Sequence, residues 1–337
     1  MMDFFGLITR YPVGHVLSEE ALGFRLRQDQ KLSLQPRYQL SVIQMNSTYL
    51  ETVDKWFAWK GMITVFALVL LIMVTSTLGW GALVWILEAA GVFSSPFGST
   101  FLLANGLGMA LLVACLDGLF IWLLCKESFA YTHYPIRFNR KTRTVHVFRT
   151  NGTILSIPWD KIFFTLAKLP PWDDWEVRGH ILEPDGITIN ETFALSYVGS
   201  LNVSNGTAKD AEFSCSDYVR SHWEFIRRYM EDGPEAVSEQ VKFCMPVNNR
   251  YEKVRVGVER VFANIASAPF AFYWLLFPFC AVISIFRVIA MRTSKIPKWP
   301  SDVEASCKID EGDRYAIEGN SKGCRVSLYS NAVMNRQ

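Results

Sequence analysis

A run of residues without any charge lies between Lys60 and Glu88, and it restricts what this chain can fold into more than any other feature. About 20 apolar residues are enough to cross the roughly 30 Å of hydrocarbon in a bilayer. Backbone N–H and C=O groups find no water there, so such a segment adopts a helix. A core helix of a soluble protein is the alternative, but those helices are rarely so long or apolar on every face. The run is therefore predicted to be a membrane-spanning helix.

Two more uncharged runs follow, at residues 89–116 and 261–286. Half of the 337 residues are hydrophobic and the mean hydropathy is +0.15, which is too polar for a protein that lies mostly in a membrane. Two or three spans attached to a sizeable water-soluble part agree with this composition. The predicted organisation is a cytoplasmic N-terminal segment 1–60, a two-helix transmembrane hairpin 61–125, a β-rich soluble domain with a C-terminal helix 131–240, a third transmembrane or re-entrant segment 261–290, and a polar tail 291–337.

The basic residues predict the orientation of the first two spans. Six Lys and Arg residues lie between residues 25 and 60, none lies between 88 and 98, and five lie between 126 and 143. Basic flanks are retained in the cytoplasm, so the two spans are predicted to form a hairpin with both flanks on the cytoplasmic side. The first residues do not have the pattern of a cleaved signal peptide, and the first span is expected to act as an uncleaved anchor.

Basic residues flank the third run on both sides, so the same rule leaves its path open. Arg260 precedes the run, Arg287 follows it and Pro278 interrupts it. A single crossing would place one basic cluster outside, whereas a re-entrant or interfacial segment would keep both inside if protein covers its non-helical backbone. Length favours a true span, and the side of the tail 291–337 stays undetermined.

Small residues recur at every fourth position of the second span. A ridge of this kind lets helix backbones approach closely. The predicted partner is the first span or a second copy of the protein, which permits a homodimer. The ridge consists of Gly106, Ala110, Ala114 and Gly118, and Gly79 and Gly81 of the first span offer a matching gap.

One acidic residue, Asp117, interrupts the second span towards its cytoplasmic end. An ionisable group inside a span is a functional candidate, for example in a proton or ion relay. The alternative is a structural role, in which Asp117 reaches the interface or bonds a neighbouring helix. A transporter should carry several such groups and broken helices at matching positions, so the pattern argues against transport.

Closely spaced strand patterns fill the polar segment after the hairpin. Asn151 and Gly152 form the strongest short hairpin signal available, between two alternating patterns. Short strands separated by tight turns predict an antiparallel meander. The predicted strands are 135–139, 143–149, 154–157, 161–168, 175–182 and 192–198.

The period then changes to that of a helix. Ser216 or Asp217 can cap its start, and Gly233 with Pro234 ends it. The predicted fold class is therefore α+β and membrane-anchored, with an antiparallel β-rich domain closed by a C-terminal helix as in a pleckstrin-homology-like domain. Another α+β domain of the same element order is the alternative. The apolar face of the helix is Val219, Trp223, Ile226 and Met230.

The sequence gives little support to a catalytic, metal-binding or nucleic-acid-binding function. The sequence contains no P-loop, GxGxxG, GxSxG or HExxH motif. Its seven Cys residues are irregularly spaced, without the pattern of a zinc site. A net charge of +2 gives no field for nucleic acid. The chain is predicted to be no enzyme, to need no cofactor or metal, and to bind no nucleic acid.

The candidate partner-binding site is an acidic and aromatic cluster that follows Pro170 and Pro171. Exposed aromatic side chains beside acids on a rigid loop are a plausible protein-docking surface. A solvated loop with its Trp side chains folded under is the alternative. The cluster consists of Trp172, Asp173, Asp174, Trp175 and Glu176.

Several phrases together resemble a known family. They are YPIRFNRKTRTVHVFRTNGTILSIPWDKIFF at 134–164, RRYMEDGPEAV at 227–237 and WPSDVEASCKID at 299–310, beside the hairpin of spans. The chain resembles poorly characterised bacterial inner-membrane proteins encoded beside type VI secretion effectors, over most of residues 50–310. The resemblance implies the bacterial inner membrane as the location and an effector-immunity role, with a cognate toxin as the partner.

Two functional hypotheses follow. In the first, the chain is a non-enzymatic immunity or accessory protein whose cytoplasmic domain binds and neutralises an effector. In the second, it serves envelope or lipid homeostasis, and the same domain binds anionic membrane lipid or a partner protein. The basic residues that would read head groups are Arg137, Arg140, Lys141, Arg143 and Arg149.

Overall fold

The computed structural model describes residues 4–169, 174–196, 214–265 and 270–319. It has an α+β fold with two antiparallel sheets and three long apolar helices. The helices are α1 (Glu19–Gly23), α2 (Met62–Val74), α3 (Trp80–Ala89), α4 (Ser99–Glu127), α5 (Cys215–Glu231), α6 (Val254–Ala263), α7 (Phe270–Thr293) and α8 (Ser301–Ser306). The strands are β1 (Arg25–Leu26), β2 (Val42–Met45), β3 (Tyr49–Thr52), β4 (Ile136–Asn139), β5 (Thr144–Phe148), β6 (Ile154–Pro158), β7 (Ile162–Leu169), β8 (Asp174–Leu182), β9 (Ile189–Ala194) and β10 (Ile317–Glu318).

Strands lie at the predicted positions after the hairpin, except that β9 spans Ile189–Ala194 where 192–198 was predicted; residues 197 and 198 lie outside the described residues. One sheet has the order β10-β2-β3-β4-β5-β6 and the other has the order β1-β7-β8-β9. The turn at Asn151 and Gly152 joins β5 to β6, and Gly152 adopts a φ of +85° that suits glycine. The strand pattern ends at Pro158 as predicted, and the chain passes from the larger sheet to the smaller one there.

The N-terminal sixty residues are part of the folded body, which differs from the separate segment that was predicted. Strands β2 and β3 lie in the larger sheet, and β1 pairs with β7 of the smaller one. Thr52 of β3 faces Ile136 of β4, so the membrane hairpin is inserted between two neighbouring strands. We call the two sheets with α1, α5 and α8 the body.

Helix α5 packs its predicted apolar face into the core. Val219, Trp223, Ile226 and Met230 are all buried. The Trp223 ring stacks on that of Trp159 at 5.5 Å between centroids. The N-cap, however, is Ser214, whose hydroxyl accepts from the Asp217 N–H while the Asp217 carboxylate accepts from the Ser214 N–H. Ser214 is therefore the N-cap, and Asp217 is the third helical residue, which completes a capping box with it.

Three helices are long and apolar enough to cross a membrane, at Met62–Ala89, Ser99–Glu127 and Tyr273–Thr293. The first is continuous through α2 and α3, and a π-helical turn at Thr75–Gly79 joins them. This finding supports the prediction of a membrane protein. Helices α2–α3 and α4 form the predicted hairpin, and α7 packs beside α2, with the Phe66 and Phe279 rings 6.5 Å apart.

The described part of the tail lies against the body. The Trp299 indole N–H donates to Glu51 at 2.9 Å, and the Asn139 side chain donates to the Ser306 carbonyl at 2.8 Å. Strand β10 then pairs with β2. Residues 294–319 are therefore on the same side as the sheets, a point that the charge pattern alone left undetermined.

Candidate functional site

The segment predicted to contact a partner is only partly at the surface. Trp172 and Asp173 lie outside the described residues. Asp174, Trp175 and Glu176 begin strand β8, so they do not belong to the predicted loop. Asp174 is 3% exposed and Glu176 is 0% exposed. These two carboxylates cannot lie on an exposed docking surface, and the prediction is corrected for them.

The Trp175 ring is folded against the body. It meets the Phe24 ring edge-on at 5.5 Å between centroids, and the Lys168 ammonium lies 5.6 Å from its centre. Trp175 therefore matches the alternative that was considered for this cluster, a Trp side chain folded under its neighbours.

Glu176 is the centre of an internal ion cluster. The Lys55 ammonium donates to one of its oxygens at 2.5 Å, and the Arg178 guanidinium donates to the other at 2.6 Å. Burial, and to a lesser extent the Glu176 charge, raise the pKa of the adjacent Tyr11 hydroxyl to about 12. A buried carboxylate is tolerated only with such cationic partners, so the acid that looked like surface charge in the sequence holds the N-terminal segment to β8.

The small-residue ridge of α4 faces the first span along only part of its length. Gly106 is buried, and a Cβ there would lie 2.8 Å from Ile86 Cγ1. Ala114 and Gly118 are exposed, so they do not pack against the first span, and a homodimer through them stays a prediction. The matching glycines do contact α4: positions for a Cβ on Gly81 and Gly79 lie 3.6 and 3.8 Å from Met109 and Val113. Ala110 is partly buried.

Asp117 lies in the body-side half of α4, ten residues before Glu127 at the end of the helix. The Thr75 hydroxyl donates to one Asp117 carboxylate oxygen at 2.8 Å, and Thr75 is the first residue of the π-helical turn. π-turns within helices often mark functional positions. The other Asp117 oxygen is buried without a hydrogen-bond partner. This contact agrees with the structural alternative, in which Asp117 bonds a neighbouring helix. A proton or ion relay through Asp117 stays a prediction.

A second group of polar residues, which we call the junction, is buried where the membrane helices meet the body. Its ionisable members are Asp54, Lys60, Glu127, Glu252, Arg260 and Arg287. Each is less than one-tenth exposed. Three cations and three carboxylates are therefore enclosed together between the body and the helices.

Lys60 and Glu127 connect the start of the first span to the end of the second. The Lys60 ammonium donates to the Glu127 carbonyl at 2.9 Å and to the Tyr131 carbonyl at 2.6 Å. The Glu127 carboxylate accepts from the N–H and the hydroxyl of Thr64, both at 2.7 Å. Burial lowers the pKa of Lys60 to about 8, and the charges of Glu127 and Asp54 oppose that shift.

Asp54 holds together the two strand ends from which the hairpin leaves the body. Its carboxylate accepts from the N–H of Trp56 at 2.8 Å and from the N–H of Tyr134 at 2.7 Å. Burial raises the pKa of Asp54. Burial together with the Lys60 charge lowers the pKa of the neighbouring His133 to about 3, so His133 is neutral in this setting.

Arg287 ties α7 to the same region. Its guanidinium donates to both oxygens of Glu252, at 2.7 and 2.9 Å, and to the Phe57 carbonyl at 2.7 Å. It also lies 4.7 Å from the centre of the Phe57 ring. Arg260 donates to the Asn264 side chain at 3.3 Å, and burial with the Arg287 charge lowers the pKa of Arg260 to about 10.

The chemistry of the junction is that of a clamp. Removing Arg287 would leave the Glu252 carboxylate buried without its cation, which typically costs about 3–5 kcal/mol. Within the described ranges, no three His, Cys, Asp or Glu side chains come together as a metal site requires. The junction therefore joins the helix ends to the segments that enter and leave the body.

The basic residues proposed for lipid recognition are mostly engaged within the chain. Paired with carboxylates, they leave little free positive charge for anionic head groups. The pairs are Arg137 with Glu51, Lys141 with Asp310, Arg143 with Asp160 and Glu231, and Arg149 with Glu191.

Sequence reasoning missed the junction, although one signal was present. Lys60 and Glu127 stand directly at the two ends of the predicted hairpin, and opposite charges there can meet when the helices are antiparallel. Glu252 and Arg287 carried no such signal, because their pairing depends on how α7 lies against the body.

No curated protein and no solved structure matches the chain. A family model described as a family of unknown function (DUF6708) matches residues 113–311. The match includes the end of α4, strands β4 to β9, α5 to α8 and part of the junction. It covers more than half of the sequence, and the chain therefore belongs to this family.

Proposed function

We propose that the chain is a non-enzymatic, membrane-anchored binding protein that presents its body to a protein partner at one face of the bilayer. The junction is the observation that carries the proposal. The buried Arg287–Glu252 ion pair, the Arg287 bond to the Phe57 carbonyl and the Lys60 bonds to two carbonyls join the helix ends to the segments that enter and leave the body. A body fixed in this way is suited to display a surface, because little ordering entropy remains to be lost on binding.

The finer fold we propose is pleckstrin-homology-like, with α5 as the closing helix. Support comes from element order, since α5 follows the last strand of the smaller sheet. Support also comes from packing, since Trp223 of α5 lies against Trp159 and Phe164 between the two sheets. Antiparallel domains with one closing helix serve as binding modules for many different partners.

The location we propose is the bacterial inner membrane, with the body in the cytoplasm. Basic residues at the body end of the helices support this orientation under the positive-inside rule. Lys126 lies 5.1 Å from the Trp122 ring centre, and Arg292 lies 5.5 Å from that of Tyr251. Aromatic rings paired with cations at helix ends are typical of a membrane–water interface.

The partner we propose is a cognate type VI secretion effector, which the chain would neutralise by occlusion. This identity rests on the resemblance of the sequence phrases to effector-associated membrane proteins. The remaining candidate contacts from the predicted cluster are Trp172 and Asp173, because Asp174 and Glu176 are buried. Lipid recognition receives no comparable support, since most of its candidate cations form ion pairs within the chain.

Co-expression with the protein encoded by the adjacent gene, which this proposal expects to be the effector, tests it. The full chain should restore growth and co-purify with the effector. Trp172→Ala and Asp173→Lys should weaken both effects, while Glu239→Lys, an equal charge change at an exposed acid elsewhere, should not. Failure of the full chain to protect would refute the immunity role. Full protection by the Trp172→Ala and Asp173→Lys variants would refute the contact site.

A further inference from the structure

Both ends of the α6–α7 segment are attached to the body end of the membrane hairpin. At the first end, the Asn264 side chain donates to the Ala58 carbonyl at 2.8 Å, just before α2 begins. At the second end, the Ser294 hydroxyl contacts the Glu127 carbonyl at 3.2 Å, where α4 ends. Lys295 then pairs with Tyr131.

The chain between these attachments is too short for α7 to start at the opposite face. Six residue steps separate Asn264 from Phe270, and a fully extended chain covers about 3.5 Å per residue, or roughly 21 Å. The hydrocarbon layer is about 30 Å thick. Helix α7 has 24 residues and is long enough to cross, but crossing would require Phe270 to lie at the far face.

We infer that α7 does not cross the membrane: the chain leaves the body side through α6 and comes back along α7, so the α6–α7 segment is re-entrant and binds the lipid of one leaflet. Its outward face is apolar and exposed over most of its length. The lipid-facing residues include Trp274, Leu275, Val282, Ile285 and Ile289. Acyl chains of the body-side leaflet are the partner that such a surface fits.

The opposite face of α7 is covered by protein, as a re-entrant segment requires. Cys280 and Ile283 are buried against Val65 of α2 and Val261 of α6. A Cβ on Gly61 would lie 2.5 Å from the Arg287 backbone nitrogen, so α7 and the start of α2 are in close contact. The charge pattern agrees, because both basic clusters that flank the third run then lie on one side.

Spin labels in a chain without its seven cysteines test this inference. Trp274→Cys lies in the second turn of α7, and Leu103→Cys lies in the second turn of α4 at the far face; both positions are exposed. Reaction of Ser94→Cys and Ser301→Cys with a membrane-impermeant maleimide identifies the vesicle face on which each residue lies. The experiment proceeds only if the two residues react from opposite faces.

An impermeant nickel chelate is then added to the face from which Ser94→Cys is labelled. We expect relaxation of the label at Leu103→Cys but not of the label at Trp274→Cys. Leu275→Cys serves as a second position if Trp274→Cys does not fold. Equal relaxation of the α7 and Leu103→Cys labels would place the start of α7 at the far face and overturn the inference.

Discussion

Buried histidines show how single residues in the body depend on their neighbours. The His222 Nδ1–H donates to the Arg37 carbonyl at 3.2 Å, and His222 Nε2 accepts from the Ser196 hydroxyl at 3.0 Å. Burial lowers the pKa of His222 to about 4. His180 is enclosed by two threonine hydroxyls, and burial lowers its pKa to about 4 as well. These rings serve the fold as neutral groups.

The histidines predict that the protein loses stability in mild acid. The unfolded chain, with a His pKa near 6.5, binds more protons than the folded chain between about pH 6.5 and 4. The free energy of unfolding therefore decreases as the pH falls through that window. His222→Asn should be less stable at pH 7 but should lose less stability on acidification, by about 1.4 kcal/mol for each unit of pKa shift removed.

Melting temperatures in detergent across this pH range measure the effect. His15→Asn is the control, since His15 is exposed. An identical pH slope in the His222→Asn variant and the unmodified protein would show that the His222 ring is not held neutral.

Among the elements, the contact between the two helices of the hairpin depends on a narrow seam. Gly106 approaches α3 so closely that a Cβ would lie 2.8 Å from Ile86 and 3.3 Å from the Ala82 carbonyl. At intervals of three or four residues along α4, the seam continues through Met109, Val113 and Asp117. The seam follows the 3.6-residue period, which explains why a ridge of every fourth residue turns away at Ala114 and Gly118.

Alanine substitutions at two glycines of α4 should distinguish its packed seam from its exposed face. Gly106→Ala should destabilise the hairpin by about 1–3 kcal/mol, because the added methyl group overpacks the seam. Gly118→Ala has no atom within 4 Å of its Cβ and should be neutral or slightly stabilising, since Ala favours a helix. Thermal unfolding in detergent compares the two, and equal effects would contradict the seam.

At the scale of the whole molecule, the junction makes the body and the membrane helices one unit. The membrane hairpin interrupts the larger sheet between β3 and β4, and the tail returns to the same sheet through Trp299 and β10. Arg287 joins α7, Glu252 and the Phe57 carbonyl in one place. The orientation of the body therefore depends on a few charges that water does not reach.

Removal of one of these charges should loosen the whole assembly. Arg287→Met leaves Glu252 buried without its cation and should cost about 3–5 kcal/mol. It should also accelerate limited proteolysis near residues 250–265. Arg10→Met removes an exposed arginine outside the junction and should change stability by less than about 0.5 kcal/mol.

The double variant Arg287→Met/Glu252→Met provides the decisive comparison. Without either charge, the site has no uncompensated ion, so we expect part of the lost stability to return. Additive losses would mean that the two residues do not act as a pair.

Local patterns in the sequence predicted much of the β-rich part. The turn at Asn151 and Gly152, the strands on either side of it, and the apolar face of α5 follow from backbone preference and periodicity, which act between residues near in sequence. Strands β1, β2, β3 and β10 were missed, because each is short and is stabilised by a partner far along the chain. Asp174 and Glu176 were misread as surface acids in the same way, since Glu176 meets Lys55 only in the folded protein.

The sequence by itself determined that the chain has helices of membrane length and a meander of strands after them, because hydrophobic length and period are properties of contiguous residues. Only the tertiary structure decided which charges are enclosed, that the N-terminal segment completes the sheet, and that both ends of the α6–α7 segment meet the body. Burial and pairing depend on residues that are distant in the chain, and no local pattern records which of them will meet.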